Sequence, residues 1–335
     1  MGCTQSEGPA VTWRRWAIPA LLALVVVLTI LSIAVGRVTL TWDMWKVQDA
    51  VSRSILLELR LPRAILGLLV GASLGMAGAA MQGYLRNALA EPGTLGVSAM
   101  SALGAVLSIF FNIAGLHPWV LPMCGVLGGV ICMATLFVLS GTAASVLTLV
   151  LSGIILSALA IAGISLALSL SPSPWAAGEI VRWMLGGLTD RSFDEVIIAA
   201  PLIVIGCIAV LACRRPLDAL TLGETGARSL GIDLNRAQWQ LAFGIGLIVG
   251  GSTAVTGVIG FVGLIVPHLM RPLVGSRPGA LLVPSAIAGA ALVLAGDIVV
   301  RLLPGGSELE LGVVMSLIGA PFFFVLLHSM RRKLT

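Results

Sequence analysis

The chain is written in long apolar blocks separated by short polar ones. Measured against the ~20 residues a helix needs to cross a bilayer, the blocks fall at 16–36, 63–83, 93–112, 118–140, 146–170, 193–213, 236–256, 258–274, 279–300 and 311–330. They predict ten membrane helices. The seventh block ends at Thr256 and only Gly257 separates it from the eighth, so one of that pair is expected to be short or broken. The stretch 171–192 opens on "SPSP", which stops a helix, and continues as "WAAGEIVRWMLGGL". That segment is amphipathic and too short to span, and is predicted to lie in or re-enter the membrane surface.

Two patterns inside the blocks say more than their lengths. "VGASLGMAG" at 70–78 and "VGGSTAVTG" at 249–257 share Val, Gly, Ser and Gly at a constant offset. The second and seventh helices run in opposite senses, so the two copies are the footprint of an inverted-topology repeat, with a pathway at the repeat interface. The second pattern is "GFVGLIVPHLMRP" at 260–272. Pro267 lacks an N–H and clashes with the preceding turn, and in a membrane the carbonyl it frees has to be satisfied from elsewhere.

Composition supports the membrane reading. At 58% hydrophobic and 10% charged residues, the chain lies outside the range of soluble globular domains and reads as a polytopic membrane protein. Its 40 glycines suit helices that must approach closely where no hydrophobic drive pulls them together. Cys3, Cys124, Cys132, Cys207 and Cys213 show no C-x-x-C spacing, and His117, His268 and His328 form no paired ligand motif. Neither a disulfide nor a metal site is expected.

With both termini placed in the cytosol, the inner segments hold Arg14, Arg15, Arg86, Arg214, Arg215, Arg228, Arg236, Arg271, Arg277, Arg331, Arg332 and Lys333 of the 20 basic residues. That majority follows the positive-inside rule. "MGCTQS" fits a myristoylation pattern at Gly2, with Cys3 as a palmitoylation site. The reading preferred here is a short cytosolic tail over 1–15. The first block is kept as a helix rather than a cleaved signal.

Three functional classes compete. Enzymatic chemistry has little to stand on, since there is no G-x-S-x-G, no H-E-x-x-H and no pair of intramembrane carboxylates. A self-powered pump needs a phosphate-binding loop, but the only lysines are Lys46 and Lys333 and neither follows one. An ion-coupled secondary transporter would use an ionisable group inside the membrane, and Asp297 is the candidate. Arg301 lies four residues on, however, and pairing on one helix face is the more economical reading. What is left is an unpowered gated path. The segment 214–236 mixes charges with Leu217, Leu220, Leu222, Leu230 and Ile232, the make-up of a docking surface for a soluble partner.

At this point five blocks, "LRLPRAILGLLVGASLGMAGAAMQG" (59–83), "NALAEPGTLGVS" (87–98), "LTLGETGARSLGI" (220–232), "GFVGLIVPHLMR" (260–271) and "ELGVVMSLIGAPFF" (310–323), stand in an order that resembles the FecCD-type permeases. These are the membrane subunits of ABC importers for iron–siderophore chelates, haem and cobalamin. The resemblance implies one transmembrane permease domain over 1–335, all-α, with the ten-helix fold of type II ABC importers. It implies a multi-pass protein of the bacterial inner membrane that works as a homodimer. Its partners would be two cytosolic ATPase subunits, which bind the ATP and Mg, and a periplasmic substrate-binding protein. The chain itself would carry no cofactor, no catalytic residue and no nucleic acid.

The resemblance also assigns residues. Arg60, Arg63 and Arg301 match the arginines that dock the binding protein, and are expected at the exposed outer side. Gly223, Glu224, Ala227, Arg228 and Gly231 match the ATPase-coupling segment, within the loop 214–236. Gly260, Gly263, Pro267, His268 and Arg271 match a helix-eight signature with a structural and gating role. The two glycines would serve close packing there, and Arg271 would cap a helix C-terminus. Ala88 and Glu310 depart from the family's usual residues. Arg182 also stands where an aromatic is typical, before Trp183. If that segment lines the outer mouth, paired copies of Arg182 would draw in an anionic chelate.

Overall fold

The computed structural model describes residues 9–36, 50–140, 146–171, 173–303 and 309–332, and the regular structure among them is helical. Gly2 and Cys3 lie outside the described residues. The membrane-scale helices are α1 (Pro9–Ala34), α2 (Leu61–Tyr84), α3 (Val97–Phe110), α4 (Val120–Ser140) and α5 (Val146–Ser169). A short α6 (Pro174–Leu185) and the long α7 (Phe193–Ala212) follow. The two small helices α8 (Arg214–Ala219) and α9 (Gly223–Ser229) lead into α10 (Leu234–Thr256), α11 (Val262–Val274), α12 (Pro278–Leu302) and α13 (Leu311–Arg332).

Each of the ten apolar blocks is therefore a helix. Eight are long and apolar enough to cross a membrane, while α3 and α11 are shorter apolar helices. A short α11 was expected. The shortness of α3 was not, and its cause is local: residues 91–96 turn through Pro92, Gly93 and Gly96, and Gly96 adopts a left-handed φ of +81° just before the helix begins.

Local chemistry sets several boundaries. The Ala176 N–H donates to the Ser173 hydroxyl at 3.2 Å, which starts α6 beside Pro174. Ser192 and Glu195 form a reciprocal capping box at the start of α7. Asp233 caps α10 by accepting from the Arg236 N–H at 3.0 Å. A widened π turn over Ile55–Arg60 leads into α2, immediately ahead of Pro62, whose missing N–H breaks the ordinary hydrogen-bond series.

Burial ranks the helices. The spans of α2, α10 and α12 are 78%, 83% and 72% buried, against 6% for α1 and 33% for α5, α7 and α13. The buried three are the core, and glycine lets their backbones touch. A Cβ on Gly71 or Gly75 of α2 would collide with the backbone of Gly289 or Ser285 on α12. In the other half, α10 packs on α4 in the same way: a Cβ on Gly250 would fall 2.6 Å from Val126 Cα. The pairs α2–α12 and α10–α4 are the same contact with the repeats exchanged, as an inverted repeat requires. Ser73 and Ser252, matched serines of the two copies and 179 residues apart, meet at 3.1 Å, Oγ to Oγ, with both side chains buried.

Candidate functional site

The answer to the problem posed by Pro267 lies on α2. Pro267 is in the middle of α11, so the carbonyl deprived of its i+4 partner is that of Gly263. Gln82, on α2 and 3% exposed, donates from Nε2 to the Gly263 oxygen at 3.2 Å and lies 3.4 Å from that of Leu264. Arg271 then donates to Gln82 Oε1 at 2.5 Å and fixes the amide's orientation. Arg271 thus reaches across to α2 instead of capping its own helix's C-terminus, which corrects the expectation for it.

Gly263 allows the approach the sequence suggested: its Cβ would come 3.1 Å from Gly78 Cα. Gly260 does not act in that way, because a Cβ there would meet nothing within 4 Å. The His268 ring lies edge-on to Phe322 of α13, with centroids 5.9 Å apart. Gln82 escaped the sequence reading, although a lone amide inside an apolar span was the available signal.

The three arginines assigned to docking are gathered at the opposite end of the bundle, Arg63 and Arg301 on one carboxylate and Arg60 on the end of α1. Asp297, with no solvent exposure, accepts from Arg63 Nε at 2.9 Å and Nη2 at 2.8 Å, and from Arg301 Nε at 3.0 Å. Arg301 also donates to the Ser32 and Val35 carbonyls and to the Ser32 hydroxyl, while Arg60 donates to the carbonyls of Ile33 and Ala34. These oxygens are the unpaired last turn of α1, the negative end of its dipole. Arg60 and Arg301 are 5% and 8% exposed, so the expectation of freely exposed guanidiniums is not met. They clamp α1 onto α2 and α12. Asp297, bound on both oxygens, is committed to that clamp.

The family model of the FecCD transport family matches residues 24–329. This chain belongs to the FecCD family. It is the membrane permease of an ABC importer. The chain is 37% identical over 292 residues to the uncharacterized ABC transporter permease protein YvrB of Bacillus subtilis, covering 85% of this chain and 81% of YvrB. It is 35% identical over 318 residues to the vitamin B12 import system permease protein BtuC of Vibrio cholerae, covering 94% of each. A solved structure described as an inward-facing conformation of a metal-chelate type ABC transporter superposes with a TM-score of 0.84 at 33% identity, over 93% of this chain and 98% of that one.

In this FecCD permease the segment expected to meet an ATPase forms α8 and α9. Leu217, Leu220 and Ala227 are buried against the bundle, whereas Leu222 and Leu230 are 67% and 63% exposed. Arg228 is exposed and Glu224 half-buried. The segment therefore splits its apolar residues between an anchor and an outward face. Gly223 and Gly231 sit at left-handed φ of +84° and +75°, where a side chain would be strained. Beneath them Asp218 accepts from the Gly279 N–H at 2.8 Å and pairs with Arg277 at 3.2 Å, which ties α8 to the start of α12.

The segment around Arg182 and Trp183 is the amphipathic α6, as predicted. Arg182 is exposed and Trp183 is 9% exposed. Just past α6, three backbones knot together: the Gly187 N–H donates to the Thr256 carbonyl at 2.7 Å, and the Gly312 N–H to the Gly186 carbonyl at 2.8 Å. Glu310, one of the departures from the family pattern, lies against Gly187. Burial pulls the Arg191 guanidinium below the usual arginine range. Glu195, Glu310 and Asp190 oppose that shift, and Arg182 adds to it. The sequence reading missed Arg191 and the charges gathered around it.

Proposed function

We propose that this permease carries a large metal chelate, a ferric siderophore or haem, across the bacterial inner membrane as a homodimer. Power comes from two cytosolic ATPase subunits, which hold the ATP and Mg. The observation that carries the reading is the outward face of α8–α9, with Leu222 and Leu230 exposed beside Arg228. Exposed leucines among charges, on short helices braced by Asp218 against α12, suit a soluble partner that pushes on the bundle. The homodimer is what the family resemblance implies; Ile155 and Leu159 of α5 and Leu317 and Phe324 of α13, exposed in the single chain, suit contact with lipid or with a second copy alike. The likeness to a metal-chelate type transporter favours the chelate cargo.

Docking of a periplasmic binding protein falls at the α1 clamp. Three guanidiniums stand there against one carboxylate, and the positive excess attracts acidic side chains and speeds encounter. A pair of Arg182 side chains, one per subunit, lies at the mouth. Cobalamin is the second reading, favoured by the similarity to BtuC over 94% of the chain.

The test is uptake into vesicles holding the permease and the ATPase, with binding protein outside and ATP inside. Ferric siderophores, haem and cobalamin are offered in turn. Uptake of one ferric chelate or haem only with ATP supports the proposal, and uptake of cobalamin alone selects the second reading. Equal flux without nucleotide refutes both.

A further inference from the structure

Helix α12 starts on a donor that its own cap residue does not satisfy. Arg277, at the N-cap position, makes no side-chain cap. Pro278 follows and has no N–H to place. The Ala280 and Leu281 N–H groups both donate to the Arg277 carbonyl at 3.1 Å. That leaves the Gly279 N–H, one of the orphan donors of a helix start. Asp218 of α8 accepts from it at 2.8 Å, across 61 residues of sequence. A cap ordinarily comes from the residue that precedes the helix. Here it comes from the segment read as the ATPase contact.

The packing around that bond is close. A Cβ on Gly279 would fall 2.5 Å from Arg214 Cγ and 2.8 Å from the Arg214 carbonyl oxygen, so glycine is what lets α8 lie against the first turn of α12. A Cβ on Gly83, at the end of α2, would likewise fall 2.6 Å from Pro278 Cβ. The pair with Arg277 is the lesser contact, because that side chain is 79% exposed and exposed ion pairs contribute little. From this start α12 continues for 25 residues, a rise of about 37 Å. It meets α2 at Gly71 and Gly75 on the way and carries Asp297 and Arg301 of the α1 clamp at its far end.

We infer that Asp218 is a positioning residue for transport: by capping α12 from α8, it makes the ATPase-facing segment move as one body with the helix that ends at the outer clamp. The inference rests on the reading of α8–α9 as the ATPase contact and deepens it. Asp218 acts through α12, since its carboxylate is engaged by Gly279 and Arg277. Without the cap, α8 shifts under its partner while α12 stays behind, and hydrolysis proceeds with less movement of the path.

The experiment uses the complete transporter in vesicles, with uptake and ATP hydrolysis measured on the same preparation. The cargo is whichever of a ferric siderophore, haem or cobalamin the wild type takes up. Asp218→Ala removes the acceptor, Asp218→Asn keeps an oxygen for the Gly279 N–H, and Arg277→Ala removes only the exposed pair. Loss of the cap bond lowers uptake per ATP about fivefold in Asp218→Ala. Asp218→Asn and Arg277→Ala retain most of the wild-type ratio. A merely structural role would lower uptake and hydrolysis together and leave the ratio unchanged, and that result overturns the inference, as does an equal fall in Asp218→Asn. Amide exchange at Gly279 in the purified permease is the second measurement: it accelerates in Asp218→Ala but not in Asp218→Asn, and unchanged exchange also overturns the inference. Uptake by the wild type without nucleotide would remove the ATPase reading itself. Nucleotide-dependent uptake in the wild type with an unchanged ratio in Asp218→Ala would remove the role of Asp218 alone.

Discussion

The bond between Gln82 and the broken turn of α11 can be tested without knowing the cargo. Gln82→Leu keeps the side-chain bulk but removes the donor to the Gly263 carbonyl and the acceptor for Arg271. A buried carbonyl left unsatisfied costs about 1–3 kcal/mol. The loss to Arg271 is smaller, because its side chain is half-buried and can turn to another acceptor. The single substitution should therefore destabilise the permease by about 2 kcal/mol. Pro267→Ala returns an N–H that can serve Gly263 from within the helix. In that background Gln82→Leu no longer strands the carbonyl, and its cost should drop below about 1 kcal/mol. The cavity left by shortening the proline ring appears on both sides of the double-mutant cycle and cancels. Equilibrium unfolding in mixed micelles gives the four free energies, and the coupling term should be about 1–2 kcal/mol. If Gln82→Leu costs the same with alanine as with proline at 267, within the ~0.5 kcal/mol at which independent sites add, Gln82 does not compensate for Pro267.

Two further outcomes follow from packing and charge. Asp297→Ala leaves Arg63 and Arg301 facing each other without their shared anion, and removing one partner of a buried pair costs about 3–5 kcal/mol. The variant should accumulate poorly and melt well below the wild type, and an unchanged melting temperature would show that the clamp contributes nothing. Gly312→Ala drives a methyl group into the backbone carbonyls of Leu185 and Val258, whereas Gly260→Ala points into open space. The first should unfold the α6–α10–α13 junction and lower the melting temperature. The second should leave it unchanged, and equal effects would refute this account of the junction.

Much of the fold was legible because a bilayer permits few alternatives. Every backbone group in hydrocarbon has to be satisfied internally, so an apolar block of about 20 residues has little choice but to be a helix. Capping by Ser192 and Glu195 is local as well, and it starts α7 at Phe193, where the apolar block was placed. The length of α3 was not legible, since hydropathy does not register that Pro92, Gly93 and Gly96 turn the chain inside an apolar run. The site divides along the same line. Residue types on a contiguous segment, such as Leu222, Leu230 and Arg228, could be read as a surface. The burial of Arg60, Arg63 and Arg301 could not, because their partners lie on α1 and α12 and only the packed bundle brings these elements together.

The inverted repeat shows why the exceptions concentrate at one place. Where the two copies agree, they pack alike: glycine stripes bring α2 to α12 and α10 to α4, and Ser73 meets Ser252 between them. Where they differ, the second copy carries the unusual residues. It has Phe261 where the first has Gly96, and it has Pro267 inside α11. Each substitution creates a local cost, a strained φ in one case and a freed carbonyl in the other. The first copy meets the freed carbonyl with a polar side chain, Gln82 on Gly263, and the Phe261 ring lies against Gly319 of α13. A symmetric pair of halves would have no reason to place a buried amide opposite that carbonyl. The asymmetry makes α11 depend on α2, so a displacement that begins at α8 reaches α11 through Gly83 and Gln82 of α2 as well as α12 through Asp218.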